Sequence, residues 1–133
     1  MKIAIVDDEP DITELFSMAC ERQKDLEVLT FNDPLEALGE IGKQKIHIAL
    51  IDLDMPGLTG DDMIRKCRNN YSWPMDFIIC SGVKKITLAI RCYNLGASCL
   101  IVKPASLDTI QEAVERVLEK HRCWDRVIRG VTG

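Results

Sequence analysis

Nothing in this chain approaches the ~20 consecutive apolar residues of a membrane span, so no membrane crossing is expected. It carries no excess of basic residues: Lys and Arg number 17 against 21 Asp and Glu, a net charge of -4. Nucleic-acid binding by this domain is therefore not expected, since that usually needs a basic surface. The cysteines Cys20, Cys67, Cys80, Cys92, Cys99 and Cys123 contain no C-x-x-C pair, and no Cys/His cluster has zinc spacing. Their even count does not by itself imply disulfides. No signal peptide is expected either, because the N-terminus enters a predicted strand at Lys2 and meets acidic residues at Asp7. A reduced, cytoplasmic protein is the expectation. No internal repeat or low-complexity segment interrupts the chain, and 133 residues leave no room for a second domain of ordinary size.

What is present is a globular composition, 47% hydrophobic and 29% charged. Short apolar runs recur, each ending in a polar group. Ile3-Ala4-Ile5-Val6 runs into Asp7 and Asp8, and Ile48-Ala49-Leu50-Ile51 into Asp52. Phe77-Ile78-Ile79-Cys80 leads to Ser81, and Leu100-Ile101-Val102 to Lys103 and Pro104. Continuous apolar runs of this length fit strands buried on both faces. Helical patterns alternate with them, which predicts βαβ units, a parallel sheet and three layers.

Ile12, Leu15, Phe16 and Ala19 give the first helix an apolar face. Glu27 to Phe31 reads as the second strand, and Asn32-Asp33-Pro34 as a cap followed by proline at the first helical position. That helix is expected to end near Gly39 to Gly42. Ile46 to Ile51 forms the third strand, and Asp54-Met55-Pro56-Gly57 a loop before a third helix opened by Gly60-Asp61, with Ile64 and Cys67 on its apolar side. Asp76 to Cys80 is the fourth strand. Ala89, Ile90 and Tyr93 suggest a fourth helix stopped by Gly96. Cys99 to Val102 is the fifth strand, and Ser106 caps a last helix carrying Ile110, Ala113, Val114, Val117 and Leu118. Trp124 to Gly133 is basic and fits either helix continuation or a linker.

In an open parallel sheet, ligands bind beyond the carboxyl ends of the strands. Asp7, Asp8, Asp52, Ser81 and Lys103 would share that rim. On its own, Asp7-Asp8-Glu9-Pro10 is equally a charged helix start, favoured by the helix dipole. Asp52 changes the balance. At ~4 Å and an effective dielectric of about 20, each like-charged pair repels by about 4 kcal/mol. A hard cation removes that cost, and Mg²⁺ favours few carboxylates together with waters and phosphate oxygens. A lone lysine after a strand is usually a solvated charge, and a lone serine before glycine usually a turn. Pro104 beside Lys103 is more suggestive, since such a proline can fix a turn, sometimes through a cis bond.

Residues 1 to 121 resemble the receiver domain of two-component response regulators, the CheY-like superfamily. The likeness rests on Ile5-Val6-Asp7-Asp8-Glu9-Pro10, Asp52-Leu53-Asp54-Met55-Pro56-Gly57 with Gly60, Ser81-Gly82, Gly96-Ala97 and Lys103-Pro104. It implies an α/β fold of (βα)5 type, a doubly wound five-stranded parallel sheet of flavodoxin-like topology in the order 2-1-3-4-5. Residues 122 to 133 would be a basic C-terminal extension or the start of a linker. Asp52 would accept a phosphoryl group from a histidine kinase or histidine phosphotransfer protein. Asp8 would ligate Mg²⁺ directly, Asp7 mainly through water, Asp52 through a carboxylate oxygen and Asp54 through its backbone carbonyl. Ser81 would hydrogen-bond the phosphoryl group, Lys103 would pair with it, and the bond to Pro104 would be cis. The domain would be a switch and not an enzyme, beyond its self-catalysed phosphotransfer and slow autodephosphorylation. Its output face would be the fourth helix, fifth strand and last helix, open to a second copy or an effector protein.

Two positions depart from the family pattern. Leu100 stands where receivers usually carry an aromatic ring three residues before the lysine. Coupling would then rest on backbone movement around Ser81-Gly82 and on exposed Lys84, Lys85 and Arg91. Asp54 places a carboxylate beside the path of hydrolytic water. Asp52-Leu53-Asp54 also resembles the nucleophile motif of haloacid dehalogenase-type phosphatases, but that motif belongs on a first strand and leaves Asp7 and Asp8 unexplained. A flavodoxin-type cofactor carrier would need a Ser/Thr/Gly phosphate loop where Asp7-Asp8-Glu9-Pro10 stands. A phosphorylation-independent, receiver-like interaction module is the remaining alternative, and the complete acidic set with Ser81 and Lys103 argues against it.

Overall fold

The computed structural model describes residues 1–82 and 86–132; Lys84 and Lys85 lie outside them. Strands and helices alternate as β1 (Lys2–Val6), α1 (Pro10–Cys20), β2 (Glu27–Phe31), α2 (Pro34–Gln44), β3 (Ile48–Asp52), α3 (Gly60–Asn70), β4 (Asp76–Ser81), α4 (Ile86–Asn94), β5 (Cys99–Val102) and α5 (Leu107–Thr132). The sheet is parallel throughout, in the order β2-β1-β3-β4-β5. The fold expected from the resemblance is the one observed.

Successive side chains of a strand point to opposite faces, and here each face has its own core. Ile3, Ile5, Ile48, Leu50 and Ile78 pack with Phe16 and Ala19 of α1 and Ile110, Val114 and Leu118 of α5. Ala4, Val6, Ala49, Ile51 and Ile79 pack with Ile41 of α2, Ile64 of α3 and Cys92 of α4. Burial on both sides explains why β1, β3 and β4 read as unbroken apolar runs. The register brings Val6, Ile51, Ile79 and Leu100 to one level across the sheet. One residue further on stand Asp7 and Asp52, so the polar groups begin together where the apolar strands end.

Two helices differ from the sequence reading, and the C-terminal segment takes one of the two forms it left open. Helix α2 does not stop at its glycines but runs on to Gln44, where Lys45 takes the left-handed conformation (φ 54°). Gly42 serves packing: a Cβ there would lie 2.6 Å from the Tyr71 hydroxyl. The apolar residues that suggested α4 mostly face outward, with Ile90 52% and Tyr93 80% exposed. Leu88, Cys92 and Leu95, spaced i, i+4 and i+7, supply the packed stripe instead. The C-terminal segment continues α5 as one helix to Thr132. Cys20, Cys67, Cys80 and Cys92 are buried, Cys99 is half-buried and Cys123 exposed; all six are free thiols.

Candidate functional site at the carboxyl ends of the strands

Asp7 and Asp8 follow β1, Asp52 ends β3, Ser81 ends β4 and Lys103 follows β5. Carboxylate oxygens of Asp7, Asp8 and Asp52 lie within 4.8 Å of one another. Asp7 and Asp52 are buried, while Asp8 faces solvent. Lys103 Nζ donates to Asp7 Oδ2 at 2.6 Å and stands 3.5 Å from Asp52 Oδ1. Backbone amides complete the cradle: Glu9 N–H donates to Asp7 Oδ1 at 3.0 Å and Asp54 N–H to Asp52 Oδ1 at 3.3 Å.

Neighbouring segments fix this geometry. Asn32 Nδ2 donates to the Asp7 carbonyl at 2.9 Å and lies 3.2 Å from Thr13 Oγ1, tying the end of β1 to β2 and α1. Lys103 N–H donates to the Ser81 carbonyl at 2.9 Å, which holds the β5 end against β4. The Lys103–Pro104 bond is cis. The start of α3 sits almost on β3, because Gly60 N–H donates to the Leu53 carbonyl at 3.1 Å.

Charge and burial set the protonation behaviour. Burial pushes the Asp52 carboxyl above the usual aspartate value, and the charges of Asp7 and Asp54 add to this. The Asp54 amide and Lys103 oppose the rise. For Lys103, burial works against the charged form. Its hydrogen bond to Asp7 and the charges of Asp52 and Asp7 outweigh that, holding the ammonium above the ordinary lysine range. Burial pushes the neighbouring Cys80 thiol up to about 12, so it stays protonated and is no nucleophile at neutral pH.

Asp7, Asp8, Asp52 and Lys103 thus form one cluster. Ser81 reaches a different partner: its Oγ donates to Asp54 Oδ2 at 3.0 Å. The side chain of Asp54 is therefore tied to Ser81, where the sequence reading set its carboxylate beside the path of hydrolytic water and gave the metal role to its backbone carbonyl. Leu100 stands apart on β5, exposed to 37%. Sequence reasoning missed the bracing by Asn32, which read only as part of a helix cap, and the close approach that Gly60 allows.

The donor set fits a small hard cation. All three candidate ligands are oxygen donors, and two of them are buried carboxylates beside a single ammonium, so the cluster carries more negative than positive charge. Asp8, with its open side, leaves room for water or a phosphate oxygen.

The chain matches the model of the response regulator receiver domain over residues 3–115. Protein-glutamate methylesterase/protein-glutamine glutaminase 1 of Caulobacter vibrioides is 28% identical over 121 residues, which are 90% of this chain and 35% of that protein. Response regulator GtcR of Aneurinibacillus migulanus is 32% identical over 130 residues, 95% of this chain and 52% of that protein. The chain therefore spans from about a third to half of these two relatives. A crystal structure of a response regulator receiver domain protein (CheY-like) from Methanospirillum hungatei superposes with a TM-score of 0.80. The match covers 91% of this chain and 95% of that one at 24% identity, and shows the same fold.

Proposed function

We propose, from the membership of this chain in the response regulator receiver domain family of two-component systems, that Asp52 is the phosphoacceptor of a signalling switch. That the chain belongs to this family rests on the match over residues 3–115. The observation that carries the proposal is the convergence of Asp7, Asp8, Asp52 and Lys103 at one rim. A carboxylate oxygen of Asp52 would attack the phosphorus of a phosphohistidine on a kinase or phosphotransfer protein. The phosphorus–nitrogen bond breaks as the acyl phosphate bond forms, and the imidazole leaves. Such transfer needs positioning and charge neutralisation far more than covalent help.

Asp8, Asp7 and Asp52 would hold Mg²⁺, with the Asp54 backbone carbonyl as a further ligand. When bound, the cation would supply neutralisation of phosphoryl and carboxylate charge. Lys103 would exchange its bond with Asp7 for one to the phosphoryl group, and Ser81 its bond with Asp54 for one to a phosphoryl oxygen. Switching by this domain, and no turnover of its own beyond phosphotransfer and slow self-dephosphorylation, is the proposed activity. The exposed residues Ile90 and Tyr93 of α4 and Leu100 and Val102 of β5 support the α4–β5–α5 face as the output surface. A cytoplasmic location is part of the same proposal, as among the described residues no helix is long and apolar enough to cross a membrane.

Acetyl phosphate with Mg²⁺ should add a single base-labile acyl phosphate, read by intact-protein mass. Asp52→Asn should abolish it. Equal phosphorylation of the variant would remove Asp52 from the role.

A further inference from the structure

At the amino end of the sheet, away from the acidic rim, lies a cavity of about 460 Å³. The strands between are five or six residues long, which separates the two ends by roughly 17 Å at ~3.3 Å per residue. Both tryptophans of the chain, Trp73 and Trp124, line this cavity, with Lys45, His47, Arg68 and Ile128. Trp124 and Ile128 belong to the part of α5 beyond residue 115, where the family match ends. One wall is thus a feature that the family match does not cover.

The cavity is shaped and charged for a particular kind of guest. Trp73 is held rigidly: its Nε1–H donates to the Ile46 carbonyl at 2.8 Å, and its ring stacks on Tyr71 at 4.7 Å between centroids. Trp124 is 60% exposed and stands as an open apolar flap. The carboxylates at the site are engaged already. Asp76 accepts from Lys120 Nζ at 3.0 Å and lies 3.1 Å from His121 Nδ1, and Asp125 pairs with Arg129 at 2.9 Å. Lys45 and Arg68, by contrast, have no carboxylate partner among the described residues. Lys45 Nζ lies 6.0 Å from the Trp73 ring centroid, and Arg68 donates to the Met75 and Gly96 carbonyls with its guanidinium 5.0 Å from the Phe77 ring centroid. Two cations without a carboxylate partner among the described residues therefore flank an indole-lined hollow of the size that small-molecule sites have.

We propose that this cavity is a binding site for a small aromatic anion, its ring against Trp73 and Trp124 and its acid group toward Lys45 and Arg68. The site is independent of phosphorylation at Asp52 and stands or falls separately from it.

Because both tryptophans line the cavity, intrinsic fluorescence reports its occupancy directly. The probes are 8-anilinonaphthalene-1-sulfonate and its uncharged counterpart, N-phenyl-1-naphthylamine. The sulfonate should quench the tryptophan signal saturably at one equivalent per chain. Trp124→Ala, an exposed position that leaves Trp73 to report, should weaken binding about tenfold, equivalent to ~1.4 kcal/mol. Lys45 sits in the left-handed region, where glycine fits without strain. Lys45→Gly should therefore preserve the fold and weaken the sulfonate about three- to fivefold while leaving the amine unchanged. No saturable quenching, or undiminished binding in both variants, overturns the site. Equal losses of sulfonate and amine in Lys45→Gly overturn the anion assignment.

Discussion

At the proposed phosphoacceptor the tightest constraint comes from a residue with no chemistry. A Cβ on Gly60 would lie 2.7 Å from the Asp52 carbonyl oxygen and 2.9 Å from Leu53 Cα, both backbone atoms that have little room to yield. Gly60→Ala should therefore cost about 1–3 kcal/mol, the usual range for overpacking, and push the end of β3 away from Asp7. Urea denaturation and the rate of labelling by acetyl phosphate should fall together; a loss of stability at unchanged labelling rate would separate Gly60 from the site. Asp54 sets a second constraint, because its carboxylate accepts the Ser81 hydroxyl. If that bond restrains the unphosphorylated state, its loss should favour the switched one by about 1 kcal/mol, the typical net worth of a hydrogen bond. Asp54→Ala should then bind beryllofluoride with Mg²⁺ roughly fivefold more tightly than native protein. Asp54→Asn keeps an acceptor and removes the charge. An equal gain in both variants would assign the effect to charge and dismiss the restraint.

Among the elements, α4 shows best what patterning conveys and where it fails. Two apolar stripes compete along Ile86–Asn94, and only the packed one contributes to the core. Leu88→Ala should cost about 1–2 kcal/mol, below the range for fully buried leucines because Leu88 is half-buried. Tyr93→Ala should change stability by less than about 0.5 kcal/mol yet weaken partner binding, if the α4–β5–α5 face is the output surface. Thermal melts of the pair test the first contrast; a destabilised Tyr93→Ala would mean its ring packs. The two-sided strands were legible because burial on both faces writes an unbroken apolar run, as in β3 and β4. Asp7, Asp52, Ser81 and Lys103 were legible because each follows such a run directly. The extent of α2 was not, since Gly42 reads as a terminator until Tyr71, remote in sequence, fills the space beside it. The bond between Ser81 and Asp54 was hidden for the same reason: it depends on how the end of β4 meets the loop after β3, which no local period encodes.

Taken whole, the sheet carries opposite electrostatics at its two ends. At the carboxyl rim Asp7, Asp8 and Asp52 repel one another, so millimolar Mg²⁺ at neutral pH should raise the melting temperature by mass action. An unresponsive melt would count against a cation site there. At the amino end the carboxylates are paired, and Asp76 among them holds the molecule together. Asp76, the first residue of β4, accepts Ser98 Oγ at 2.8 Å and Lys120 Nζ at 3.0 Å, and contacts His121 on α5 at 3.1 Å. Burial alone would raise its carboxyl pKa. The hydrogen bonds from His121, Ser98 and Lys120 outweigh burial and hold it well below the ordinary 3.8. A depressed folded value means that the ionised form stabilises the native state. That stability is fully present above the unfolded aspartate value and is lost as pH falls through the folded one. Asp76→Asn should therefore lower stability by about 1–3 kcal/mol at pH 7, the cost of unsettling a buried polar network. The gap between variant and native protein, measured by urea denaturation, should narrow from pH 7 to pH 3, where an unfolded aspartate is largely protonated. A gap that stays constant across that window would mean that the shape of Asp76, and not its charge, joins β4 to α5.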